Sequence, residues 1–200
     1  MAAPVMAAGI RPRVAVIWLV LAALVGAIAV IEYRDVVAGR SRDAERDPRL
    51  LLPMPVNELG ALEVAEAGTR HRFERTAAGA WFYHGAHTGG EGEHTHAVDP
   101  DTSARIEQAL LAFGRTRIER QLARDGDGAT YGVATPRIVI LAYRWNESQP
   151  RVQYAVGDLA PDALSRYVDV VGGPGLVTIP GYQIDHLLAL IEAVRGAAAR

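Results

Sequence analysis

Four histidines and two glutamates fall within the run HGAHTGGEGEHTH, at His84, His87, Glu91, Glu93, His94 and His96. Imidazole nitrogen is the common ligand of zinc and copper, and a carboxylate can complete such a set. In an extended segment His94 and His96 point the same way, being two residues apart. Gly85, Gly89, Gly90 and Gly92 leave the backbone free to bring His84 or His87 to face them. The expectation is a Zn²⁺ or Cu²⁺ site of three or four histidines, with Glu91 or Glu93 as an alternative ligand. Two other readings stay open: a solvated histidine tract that takes up divalent ions adventitiously, or a pH-sensing or docking loop. The run lacks the fixed helical frame of an H-E-x-x-H motif.

Elsewhere the composition excludes more chemistry than it suggests. All 21 basic residues are arginine. Without lysine there is no Schiff base, no pyridoxal-phosphate enzyme and no P-loop nucleotide site. Cysteine is absent, which removes thiol catalysis, disulfides and thiolate-bound metals. With 23 acidic residues the net charge is −2, which offers no footprint for nucleic acid. Neither a G-x-S-x-G elbow nor a G-x-G-x-x-G turn occurs, and Asp125-Gly126-Asp127-Gly128 begins like a calcium loop without supplying its later ligands. No catalytic residues emerge, and a hydrolase built on unrecognised carboxylates is the enzymatic alternative.

The elements that must carry these residues begin with an apolar run. Val14 to Ile31 is eighteen residues without a charge, about 27 Å as a helix at roughly 1.5 Å per residue. Trp18 and Tyr33 stand near its two ends as interfacial rings would. The expectation is a single-pass anchor over 14–33 behind a leader at 1–13. A buried core helix is the alternative, and Ala27-Ile28-Ala29 resembles a signal-peptide cleavage site. Arginine counting leaves the sidedness open, because Arg11 and Arg13 precede the run while Arg34, Arg40, Arg42, Arg46 and Arg49 follow it. Ala22 with Gly26, and Ala23 with Ala27, have the small-xxx-small spacing that lets a second membrane helix approach closely.

Residues 34–56 are charged and then rich in proline, which reads as a solvated stalk. Within it Leu51, Leu52 and Met54 form an apolar strip suited to docking a partner. A domain is expected over 57–200. Alternating runs at Leu59–Ala65, Arg70–Thr76 and Ala80–His84 predict strands, and Asp99-Pro100 opens a helix with its apolar face at Ile106, Leu110, Leu111 and Phe113. After an extended stretch at Arg115–Ala123, four more strands are predicted at Arg137–Tyr143, Arg151–Gly157, Arg166–Val171 and Leu176–Pro180. A last helix over Tyr182–Val194 carries Ile184, Leu187, Leu188 and Ile191 on one face. Two meander-plus-helix units imply an α+β domain with a mostly antiparallel sheet. His71 and His186 read as ordinary surface or boundary residues, and Gly132 and Gly157 as turn residues.

The run YGVATPRIVILAY (Tyr131, Gly132, Thr135, Pro136), followed by YAVGD (Tyr154, Gly157, Asp158), RYVDV and GLVTIP, resembles the bacterial domain-of-unknown-function family 4340. Trp81 and Asp99-Pro100 are similar to the family's first half, while the histidine-rich connection departs from it. The resemblance implies an N-terminal anchor, a periplasmic domain and, for some members, association with ABC-type transport systems; it brings no catalytic residues. The expectation is a non-catalytic accessory subunit of the bacterial inner membrane, acting through a membrane or envelope protein complex. A periplasmic metal-binding module is the runner-up.

Overall fold

The computed structural model describes residues 18, 20–30, 47–86, 98–123 and 128–198. It divides into a unit within Met1–Glu45 and a second unit, the domain, within Arg46–Arg200. In the first unit, residues 18 and 20–30 are helical (α1) with exposed side chains; Ala22 and Gly26 both lie on it. No helix among the described residues is long and apolar enough to cross a membrane. The rest of the expected span at 14–33 lies outside the described residues.

The domain is α+β. Its strands are β1 (Leu59–Glu66), β2 (Thr69–Arg75), β3 (Trp81–Ala86), β4 (Arg120–Gln121), β5 (Ile138–Arg144), β6 (Val152–Leu159), β7 (Ser165–Val171) and β8 (Gly175–Pro180). They form one eight-stranded sheet in the order β3-β2-β1-β5-β6-β7-β8-β4. Every pairing between these strands is antiparallel. The expected meanders are therefore consecutive hairpins, and they meet where β1 pairs with β5. The extended stretch expected at Arg115–Ala123 narrows to the two-residue edge strand β4 beside β8.

Two helices cover one face, α2 (Pro100–Phe113) and α3 (Tyr182–Ala198). Asp99 caps α2, its carboxylate accepting the Thr102 N–H at 2.8 Å, and Pro100 sits where no N–H is needed. The buried residues of α2, Ile106, Leu110 and Phe113, meet Ile184, Leu187, Ile191 and Val194 of α3 in a single core. The sheet gives that core alternate residues: Leu62 and Val64 from β1, Ile140 and Ala142 from β5, Tyr154 and Val156 from β6, Val168 and Val170 from β7.

The stalk ends earlier than its composition suggests. Leu51, Leu52 and Met54 are 3%, 0% and 0% exposed and belong to the core, not to a docking strip. Leu50 bridges Arg117, the Leu51 N–H donates to the Thr116 carbonyl at 2.9 Å, and the Tyr154 hydroxyl donates to the Leu51 carbonyl at 2.9 Å. An apolar run tethered next to an uncovered sheet face buries itself there without the entropy cost of recruiting a partner. The domain consequently includes residues from about Asp47, ten positions before the boundary at 57.

Candidate functional site

Only His84 of the expected metal ligands is among the described residues. It lies half-buried on β3 with its ring 5.6 Å from that of Phe82. His87, Glu91, Glu93, His94 and His96 lie outside the described residues, so the histidine cluster has no described geometry. Among the described residues no three histidine or acidic side chains are grouped as metal ligands would be. Ala22 and Gly26 sit on α1, where a Cβ added to Gly26 would meet nothing within 4 Å.

His71 is not a surface residue. It is 2% exposed on the helix side of β2, with Nδ1 2.7 Å from the Tyr83 hydroxyl and the two rings stacked. Burial lowers its pKa from 6.5, reinforced by the Arg195 guanidinium and opposed by Glu66 and Glu192. Burial also raises the Tyr83 hydroxyl above 10. His186 is exposed on α3 against Tyr182, as expected.

At one end of the helix-side face the core is replaced by an open cavity of about 680 Å³. The alternation explains its lining. Leu62, Val64 and Glu66 point the same way along β1, as do Arg166, Val168 and Val170 along β7, so each apolar series ends in a charge. Ile138 and Val156 lie between them as an apolar floor, paired with each other across β5 and β6. Arg137 and Asp158 add a second charge of each sign.

The wall of this cavity depends on a close backbone contact. A Cβ on Gly157 would sit 2.1 Å from the Tyr131 carbonyl oxygen, and a Cβ on Gly132 would sit 2.6 Å from the Asp158 carboxylate. The turn at Ala129–Tyr131 thus packs onto the β-bulge between Val156 and Leu159. Gly132 has the positive φ of a turn residue at 71°, but Gly157 does not; its glycine is required by approach, not by dihedral angle. The bulge also aims Arg166, whose Nη1 donates to the Gly157 carbonyl at 3.2 Å while its Nε is buried with no hydrogen-bond partner among the described residues.

The opposite face of the sheet has no helix over it among the described residues. There Arg72 bridges Glu63 and Glu74, and the Tyr143 hydroxyl donates to Glu63 at 3.2 Å. Burial, with the neighbouring Glu63 carboxylate, raises the Tyr143 pKa. The two glutamates raise that of Arg72 against the effect of burial. Every charge in this group is satisfied by another, so it reads as a cross-strand clasp and not as a reactive centre.

The β6–β7 hairpin carries a different feature. Asp162 closes it, accepting the Leu164 and Ser165 N–H groups at 2.9 and 2.8 Å, which holds its pKa at about 2. Leu164 is 78% exposed at that tip, and Leu159 and Tyr182 are 49% and 54% exposed. Gly181 joins them, donating its N–H to the Leu164 carbonyl at 2.7 Å and leaving only 3.5 Å between a Cβ placed on it and the Leu159 side chain.

Sequence reasoning missed Glu66 and Arg166. The available signal was a charge at a core-facing register position, Glu66 two residues after Val64 and Arg166 two residues before Val168. Comparison with protein families, with curated proteins and with solved structures finds no match to this chain.

Proposed function

We propose that this chain is a single-pass protein of the bacterial inner membrane whose domain acts without catalysis, by associating with other proteins of a membrane or envelope complex. The observation that carries the association reading is the apolar patch of Leu159, Leu164 and Tyr182. Leucine side chains this exposed at a hairpin closed by Asp162 have more to gain from a partner surface than from water. The anchoring half of the reading rests on the uncharged run Val14–Ile31 and on the short basic leader with Arg11 and Arg13. The likeness of the second half to family 4340 favours a cytoplasmic amino terminus, a periplasmic domain and a transport-associated complex.

The test is co-purification from membranes opened with a mild detergent, comparing the unaltered chain with Leu164→Asp. The expected result is a defined complex that survives purification with the first and is lost with the second, while both unfold at the same urea concentration. A Leu164→Asp chain that keeps the whole complex would remove the patch from the interface and overturn the reading.

A further inference from the structure

The 680 Å³ cavity beside the Ala129–Tyr131 turn holds charges of both signs that form no ion pair among the described residues. Most other arginines with described interactions are matched: Arg72, Arg117, Arg120, Arg144 and Arg195 each have a carboxylate. In the cavity, Glu66, Asp158, Arg137 and Arg166 form no ion pair with one another or with any other described residue. The sheet keeps the two inner charges apart. Glu66 stands on β1 and Arg166 on β7, with β5 and β6 between them; three strand spacings separate their backbones by roughly 14 Å. Rooted that far apart, Glu66 and Arg166 make no direct ion pair with each other.

We propose that this cavity binds a small zwitterion, an amino acid or a short peptide with free termini, its carboxylate held by Arg166 and Arg137 and its ammonium by Glu66. The volume lies within the range that small ligands occupy. A guanidinium offers a fork of donors that matches a carboxylate. The Gly157 carbonyl already orients that of Arg166 through Nη1. Ile138 and Val156 supply an apolar floor for the middle of the ligand. The balance of charge selects the class. Glu66 and Asp158 repel a dianion such as phosphate, and Arg137 and Arg166 repel a metal ion, whereas a molecule with one charge of each sign meets both pairs favourably.

The experiment is calorimetric titration of the full chain in detergent micelles with glycine, dialanine and trialanine, then with N-acetyl-dialanine, dialanine amide and inorganic phosphate. The expected result is saturable binding of at least one of the three zwitterions, weakened about tenfold or more when either terminus of the best peptide is capped. Glu66→Gln should erase the preference for a free amine, and Arg166→Gln the preference for a free carboxylate. Arg137→Gln, an exposed change at the cavity mouth, should weaken all carboxylate ligands in a chain whose fold is undisturbed. Failure of all three zwitterions to bind, capped forms binding as tightly as free ones, or phosphate binding more tightly than any of them would each overturn the proposal. None of these results depends on the association patch, which lies on other residues.

Discussion

A buried imidazole that shares a hydrogen bond with a half-buried phenol gives the domain its own response to acid. His71 and Tyr83 face Arg195 and Glu192 of α3, and Glu66 of β1 lies close by. Because the folded-state pKa of His71 lies below 6.5, the unfolded chain takes up the proton first as the pH falls. The contribution to stability is complete above that pH and declines as the pH drops below it. Urea unfolding on either side of pH 6.5 should therefore show a weaker domain on the acid side, with the difference reduced in His71→Phe; an unchanged difference would assign the effect to other groups. A second residue-scale test separates core from docking strip. Leu52→Ala should destabilise the domain by about 2–5 kcal/mol in urea titration, the cost of a core cavity, whereas a side chain waiting for a partner would leave stability unaltered.

At the scale of elements, the hairpins follow from local alternation and the helices from caps and apolar faces, but the cavity needs two elements to touch. Gly157 on β6 allows the Ala129–Tyr131 turn to lie against the bulge, and that contact closes the cavity wall. Gly157→Ala would place a methyl 2.1 Å from the Tyr131 oxygen. Overpacking of this kind costs about 1–3 kcal/mol, and the turn must move to relieve it. The expected outcome is a lower urea midpoint together with weakened zwitterion binding, since the displaced turn carries Gly132 away from Asp158. An alanine chain with unchanged stability would show that the turn yields freely and that the close approach is not a constraint.

At the scale of the whole molecule the proposed anchor raises the question of the side of a bilayer on which the domain would stand. The proposed topology predicts that protease added to intact spheroplasts digests the domain, leaving a membrane-bound fragment near the chain's start. Protection in spheroplasts with digestion in inverted vesicles would put the domain in the cytoplasm, as the arginines after Ile31 would by themselves suggest. Extraction of the intact chain by alkaline carbonate would deny the anchor altogether.

The sequence by itself determined the α+β class, seven of the eight strands, the two domain helices and the Asp99 cap, because periodicity and capping act over a few residues and leave their mark in the order of residue types. The apolar run at Val14–Ile31 is legible for the same reason. Only the tertiary structure decided that β1 and β5 join the two meanders, that Leu51, Leu52 and Met54 complete the core, and that Glu66 and Arg166 open onto one cavity. These depend on contacts between distant parts of the chain, such as the hydrogen bond from Tyr154 to Leu51 across 103 residues. An apolar strip has the same composition whether it covers its own sheet or a partner's surface. The geometry of the nearest uncovered face chooses between them, and that face exists only once the strands have paired.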